Sequence, residues 1–380
     1  MVKRNLIGLT LRELEDFALS IGEKKYRGKQ IFDWLYTKGV VSFAEMTSLS
    51  KDIRERLELL SEINRISLIE TQNSHKDETT KYLFGLSDGK RIESVLIPPK
   101  KSFQNFGMKE DDEPERSTLC LSTQVGCALD CKFCATASMG YLRNLTVGEI
   151  VDQLYQVRKL SGKRITNLVY MGMGEPLLNY ENVMKSVEII STGMAIAARR
   201  ITISTAGWIP GIRKMAEENS KVKLAVSLHS LDDALRTLLM PINKKYPIND
   251  LLHAIEYYYT KTKNRVTFEY ILFDLLNDRD SDIEKIIKLT KRIPCKLNII
   301  PFHSSMFSLK NEIGLILRSS SLKRREEFVE QVRQNNVAAF VRSSAGEDID
   351  AACGQLAVHH EQQKKRHHVL QTNVQNVNVV

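Results

Sequence analysis

Nowhere in its 380 residues does the chain hold an uninterrupted apolar run of about 18 residues, the length a membrane-spanning helix needs. Its start, Met1-Val2-Lys3-Arg4-Asn5, leads into a stretch charged again at Arg12, Glu13, Glu15 and Asp16. The apolar core of a secretory signal is missing from it. Both absences point to a cytoplasmic protein without a membrane partner. Cysteine is scarce too. The six present, Cys120, Cys127, Cys131, Cys134, Cys295 and Cys353, are too few to staple so long a chain. In a reducing compartment, clustered cysteines point to metal binding or catalysis instead. No internal repeat occurs beyond an alternation of strands and helices.

The composition is that of an ordinary globular protein, 42% hydrophobic and 27% charged, which excludes disorder for most of the chain. At roughly 100–200 residues per domain, the length suggests two domains, or one with an appendage. Fifty-five basic against 46 acidic residues leave a net charge of +9. That permits a nucleic-acid partner without demanding one.

Residues 1–62 read as a helical module, with Leu11, Leu14, Phe17, Ala18 and Ile21, then Ile31, Trp34 and Leu35, at helical spacing. Between the helices lie Lys24, Lys25, Arg27 and Lys29, either a solvated helix start or a grip for phosphates. Residues 63–117 form a β extension and loop: strands at 81–86 and 91–97 flank a Gly-containing connection, and an exposed polar loop follows from 98 to 116. Residues 118–356 alternate. Strand-like runs at 118–123, 166–171, 200–205, 223–228, 266–272, 296–300 and 338–342 are separated by helical stretches. One helix opens with a capping box, Thr146 to Glu149, and puts Ile150, Val151, Leu154 and Val157 on one face. Six strand–helix units and a closing strand predict an α/β fold with a parallel sheet, either open and doubly wound or curled into a barrel or partial barrel. In each case function lies at the carboxyl ends of the strands. The polar tail, 357–380, is expected to be disordered; its paired histidines read as solvated rather than metal-binding.

The sharpest local signal is Cys127-Ala128-Leu129-Asp130-Cys131-Lys132-Phe133-Cys134, three soft thiolate ligands just after a strand. Structural zinc wants four ligands in paired knuckles, and no second knuckle follows. Three cysteines suffice for three irons of a cubane cluster, leaving the fourth open. This Cys-x3-Cys-x2-Cys spacing resembles the radical S-adenosylmethionine superfamily, in which the open iron binds S-adenosylmethionine and an electron splits its sulfonium. Gly172-Met173-Gly174-Glu175-Pro176 ends the next strand. By itself it is also a plausible turn; beside the cysteines it resembles the superfamily's motif for the methionyl amine. Ser204, Ser227, Leu228 and His229 lie at later strand ends, where caps and turns also use such residues.

Two further cysteines extend the resemblance. Cys120 lies in the strand before the cluster, and Cys353 lies in Asp350-Ala351-Ala352-Cys353-Gly354-Gln355-Leu356, among acids rather than in an apolar stripe. Cys295, in an apolar stretch, suits a small buried hydrophobe. Taken together, residues 118–134, 172–179 and 350–356 are similar to the RlmN/Cfr family of dual-cysteine radical RNA methyltransferases, over nearly the whole chain. The resemblance implies a partial (β/α)6 barrel preceded by a helical domain and a small β extension. It implies a 4Fe-4S cluster on Cys127, Cys131 and Cys134, and two molecules of S-adenosylmethionine per turnover. Contacts to that cofactor fall on Gly174, Glu175, Ser204, Ser227, Leu228, His229 and His303, the last commonly asparagine in the family. Cys353 would carry the methyl group, Cys120 would release the product and leave a disulfide, and Glu93 would act near the base. The implied partners are 23S rRNA, tRNA, an electron donor and a thiol reductant. The implied product is methylation at carbon 2 of adenosine. A Cfr-like carbon 8 enzyme shares these motifs. Another radical enzyme would not need both extra cysteines, and an RNA-binding scaffold with a structural metal stands as a third reading. Residues 98–116 and 304–323 are longer than the family pattern.

Overall fold

Seven strands of the computed structural model lie side by side in the same order as in the chain, all parallel. The structure describes residues 3–99, 117–303, 317–342 and 344–356. The expected loop at 98–116 therefore falls almost wholly outside the described residues, as do the tail and most of 304–323.

The seven strands are β6 (Thr118–Cys120), β9 (Asn167–Tyr170), β10 (Ile201–Thr205), β11 (Lys223–Ser227), β12 (Val266–Leu272), β13 (Cys295–Pro301) and β14 (Ala339–Val341). A doubly wound sheet must reverse its strand order somewhere. This one never does. With right-handed crossovers every connecting helix then lies on one face, and the sheet curls about the other. The connections carry α4 (Val147–Ser161), α5 (Tyr180–Gly193), α6 (Ile209–Glu217), α7 (Asp233–Leu239), α8 (Ile248–Thr262), α9 (Asp280–Arg292) and α10 (Leu322–Gln334). The capping box at Thr146 and Glu149 forms, and Ile150, Val151, Leu154 and Val157 are buried.

The barrel stays open because the outer edge of β6 is taken by an antiparallel extension, β3 (Ser67–Asn73), β4 (Thr80–Gly85) and β5 (Arg91–Ile97), giving one ten-stranded sheet. The β4–β5 connection turns at Gly89, whose φ of +80° suits glycine. A small ribbon, β7 (Gln124–Gly126) with β8 (Tyr141–Asn144), brackets the cysteine loop.

Register decides what faces the barrel interior. Val95 pairs with Cys120, Cys120 with Val169, Ser204 with Ala225, Ser227 with Glu269, and Glu269 with Asn298. Residues two apart share a face, so Lys81, Glu93, Cys120, Ser204, Ser227, Glu269 and Asn298 all point inward. The alternate positions, such as Ile201, Ile203, Leu297 and Ile299, are apolar, buried and turned to the helices. The inner face is therefore a polar floor under a half-open cavity.

The first 60 residues form α1 (Leu11–Ser20), α2 (Tyr26–Phe32), which runs on through a wider turn at Asp33–Lys38, and α3 (Lys51–Leu60). Gly28 lets α2 press on α1, since a Cβ there would lie 2.4 Å from the Glu15 backbone. A short parallel pair, β1 (Arg4–Asn5) with β2 (Ser61–Glu62), closes the unit. It is tied to α4 by Arg65, whose guanidinium meets Asp152 at 2.5 Å, both side chains being buried, and lies 3.8 Å from the Tyr155 ring. Asp152 also accepts from the Ile66 N–H at 2.8 Å, so the pair is well satisfied.

Candidate active site

Cys127, Cys131 and Cys134 lie on one loop between β7 and a short helical turn at Ala135–Met139. The Cys127 N–H bonds the Gly140 carbonyl at 2.9 Å, the Cys134 N–H bonds Cys131 at 3.1 Å, and the Lys132 N–H bonds Leu239 at 2.9 Å. Asp130 allows the turn by adopting a φ of +50°. Burial pushes the Cys127 thiol up to about 12 and raises Cys131 and Cys134 as well; each also feels its neighbours. Phe133 stands edge-on to His229, ring centres 4.8 Å apart.

Facing the loop is Glu175, 3% exposed. Gly174 has φ +99°, and a Cβ there would fall 2.5 Å from the Gln124 side chain, so only glycine brings this turn so close. Glu175 Oε1 accepts from the Leu177 N–H at 3.1 Å and Oε2 from the Ala206 N–H at 2.8 Å. Burial still outweighs those bonds and pushes the carboxyl up to about 7. A cationic amine beside it would remove that penalty. Ser204 lies half-buried on the same floor. The backbone of Ser227 and Leu228 is already engaged: Arg236 donates to both carbonyls at 3.2 Å, and the Leu228 N–H bonds Glu269 at 2.9 Å. His229 is buried, with φ +53°, and its Nδ1 accepts from the Ile271 N–H at 3.0 Å. Burial, then Arg236, lowers its pKa to about 3, so the ring is neutral and its Nε2 carries the proton.

The two outlying thiols come within electrostatic reach of each other. Cys120 is buried on the floor, Cys353 is exposed, and Cys353 bears electrostatically on the Cys120 thiol. Burial, then Cys353, pushes the Cys120 thiol up to about 12. The Cys353 turn is fastened to the cysteine loop: the Ala135 N–H donates to Gly354 at 2.6 Å, and the Thr136 hydroxyl to Leu356 at 3.3 Å. Arg342 completes the arrangement. Its Nη1 lies 3.4 Å from both Glu269 and the Met171 sulfur, and Glu269 also accepts from Asn298 at 2.9 Å. Burial works against this cation, but Cys353, Glu269 and Cys120 carry its pKa upward. Cys295 takes no part; it sits at the amino end of β13. Glu93 is no solvent-facing strand residue. It is 5% exposed, and its carboxylate pairs with buried Lys81 at 3.6 Å. His303 turns both ring nitrogens to the Cys353 segment, one to Ser344 and one to Glu347 at 2.9 Å.

The same arrangement exists in known proteins. Residues 4–63 match the family model of the ribosomal RNA large subunit methyltransferase N-terminal domain, and residues 121–290 match the radical SAM superfamily. A dual-specificity RNA methyltransferase RlmN of Syntrophobacter fumaroxidans is 44% identical over 351 residues, 91% of this chain and 96% of that one. The protein of the same name from Desulfotalea psychrophila is 41% identical over 369 residues, covering 93% and 95%. The crystal structure of a radical SAM methyltransferase from Sphaerobacter thermophilus superposes with a TM-score of 0.81 at 40% identity, covering 93% of this chain and 98% of that one. The chain belongs to the RlmN family.

It is thus a radical S-adenosylmethionine methyltransferase with the partial barrel expected of that fold, and its cofactors are a 4Fe-4S cluster and S-adenosylmethionine. The donor set suits the cluster. The three thiols interact electrostatically, yet among the described residues no three His, Cys, Asp or Glu side chains gather closely enough for a single metal ion. Three soft thiolates on one loop are the ligand type that iron–sulfur clusters take. Among the described residues no helix is long and apolar enough to cross a membrane.

Sequence reasoning missed Arg342, Glu269, Asn298, Lys81 and Arg236. Arg236 is fully buried; besides Ser227 and Leu228 it donates to Ala206 at 2.8 Å and Asn243 at 2.7 Å, knitting the ends of β10 and β11 behind the cysteines. Nothing local marks these residues. Inward-facing polar positions could have been found only by alternation within each strand, once register was known.

Proposed function

We propose that this chain methylates carbon 2 of an adenosine in 23S rRNA and in tRNA, with Cys353 as the methyl carrier and Cys120 as the thiol that releases the product. The observation that carries this reading is that two thiols, 233 positions apart in sequence, come within electrostatic reach of each other and of one half-buried guanidinium, next to the cysteine loop. Carbon 2 carries no acidic proton, so base-and-methyl-donor chemistry fails there. When bound, the cluster and S-adenosylmethionine supply a 5′-deoxyadenosyl radical able to take hydrogen from a methyl group.

The chain's own residues do the rest. Exposed Cys353, as its thiolate, attacks the methyl carbon of a first S-adenosylmethionine and keeps the methyl as S-adenosylhomocysteine leaves. The Gly354 carbonyl holds this sulfur beside the cysteine loop. After the activated carbon has bonded to the base, the odd electron of the adduct would return to the redox couple that supplied it, the Cys120 thiolate takes the ring proton, and its sulfur attacks the Cys353 sulfur. The sulfur–carbon bond to the RNA breaks, the freed carbon takes up a proton to become the methyl group, and a disulfide remains for an external thiol reductant. Arg342 offsets the cost of a thiolate in so buried a place. Glu93, held by Lys81, faces the same cavity as the carboxylate that exchanges a proton with the adenine. Glu175 holds the methionyl amine, and His229 offers only an Nε2 proton.

Lys24, Lys25, Arg27 and Lys29 contact phosphates in this reading. Two of them are already moderated, Lys25 by Glu15 at 3.3 Å and Lys29 by Asp33, which fits a positioning contact better than a strong anchor.

Anaerobic reconstitution with methyl-labelled S-adenosylmethionine and a ribosomal RNA fragment, followed by nucleoside analysis, tests this. Labelled 2-methyladenosine is expected. Labelled 8-methyladenosine would overturn the regiochemistry, and cofactor cleavage without any labelled nucleoside would overturn the substrate.

A further inference from the structure

Beyond Arg342 the chain leaves the sheet, and among residues 344–356 the regular structure is one helical turn, Glu347–Ile349. A segment with so little internal structure takes its position from whatever it touches. Its downstream half rests on the cysteine loop through Gly354 and Leu356. Its upstream half rests on the β extension, some 270 positions earlier in the chain. The Gly346 N–H donates to the Asp77 carboxylate at 2.9 Å. Asp348 accepts from the Ser74 hydroxyl at 2.7 Å and the His75 N–H at 2.9 Å. Lys81 Nζ reaches the Asp350 carbonyl at 3.4 Å. A Cβ on Gly346, whose φ is +68°, would lie 2.8 Å from the Thr79 methyl, so the two segments touch closely.

We propose that the turn joining β3 to β4, together with Lys81, is a latch that sets the Cys353 segment over the cysteine loop, making Ser74, Asp77, Lys81 and Asp348 positioning residues for methyl transfer. The inference rests on the reading of Cys353 as methyl carrier. Cys353 lies between the two supports, so losing the contacts to the β extension leaves its sulfur held through Gly354 and Leu356 downstream and, upstream, only by His303 at Ser344 and Glu347. The bonds are charge-assisted, since the Ser74 hydroxyl and the His75 N–H hold the Asp348 carboxyl below its ordinary range. Lys81 joins the latch to the floor: the same ammonium pairs with Glu93 and bonds the Asp350 carbonyl, so the groups proposed to face the adenine and to carry the methyl share one cation. This gives the β extension a task that covering a sheet edge does not explain.

The test uses the cluster-loaded full chain with Asp77→Ala and Asp348→Ala, and with Asp77→Asn, which keeps an acceptor for Gly346. Three quantities are read: methylated nucleoside formed per 5′-deoxyadenosine released, methyl occupancy of Cys353 by mass spectrometry, and hydrogen exchange across 344–356. Both alanine variants are expected to lose about tenfold in methylated nucleoside per 5′-deoxyadenosine and to exchange faster in that segment. The rate of 5′-deoxyadenosine release should stay as in the parent, and Asp77→Asn should restore the coupling. Unchanged coupling in both alanine variants, or a loss of cofactor cleavage in proportion to methylation, overturns the latch. A parent protein that never carries a methyl on Cys353 overturns the carrier reading itself; a methylated parent with fully coupled variants overturns the latch alone.

Discussion

The two sulfur-bearing segments of the site are built in opposite ways. Residues 127–134 place three cysteines in one short loop, held by backbone bonds to Gly140, Cys131 and Leu239. Residues 344–356 carry one cysteine and are held chiefly through side chains, from Ser74, Asp77, Lys81, His303 and Thr136. A loop that grips a cofactor permanently gains from bonds that any sequence can make. A thiol that, in the proposed reaction, meets a methyl donor, a base and a second thiol in turn is served by individually modest bonds, each of which can be remade.

Removing a sulfur from each segment should break different things. Cys131→Ala is expected to lose the cluster's broad visible absorbance and to lower 5′-deoxyadenosine formation by about 10³-fold or more. Cys353→Ala should keep the cluster absorbance and lose nucleoside methylation by a similar factor. Matching losses in the two variants would erase the distinction.

Glu175 sharpens it from the cofactor side. A carboxyl whose pKa rises from 4.5 to about 7 on folding binds more protons folded than unfolded between those values, so stability falls as pH rises through that window. In cofactor-free protein, Glu175→Gln should remove this slope and stabilise the fold above pH 7 by on the order of 1–2 kcal/mol, read as a higher Tm. The same change should weaken S-adenosylmethionine binding about tenfold or more by calorimetry. Gain of stability with loss of binding marks a side chain kept for the cofactor.

The smallest effect concerns the helical module. Lys25→Ala should weaken RNA binding severalfold at most and reduce the salt slope by about 1, with adenine discrimination intact. A selective loss of discrimination would remove Lys25 from the phosphate contacts.

How far the sequence could be read follows the same division. The cysteine loop was legible because its ligands are neighbours in the chain, and Glu175 because Gly174 and Pro176 frame it. The seven parallel strands were legible as apolar runs, since their outward faces are buried under helices. Whether they formed an open sheet or a barrel was not, because periodicity within a strand is silent about the order of strands. Cys353 stood out by its surroundings, and the resemblance supplied its role. Ser74, Asp77 and Lys81 gave no signal: each is an ordinary polar residue, and its meaning comes from a contact about 270 positions away. Arg342 and Glu269 were hidden for a related reason, since an inward-facing polar residue in a strand is ordinary until register puts it beside two thiols.

The central claim, that Cys353 and Cys120 act as carrier and release thiol on one base, is tested most directly with Cys120→Ala incubated anaerobically with S-adenosylmethionine, reductant and RNA. A covalent protein–RNA adduct should accumulate on a denaturing gel, with the RNA joined through one carbon to Cys353 by mass spectrometry. Free methylated RNA released at the parent rate, with no adduct, would contradict it.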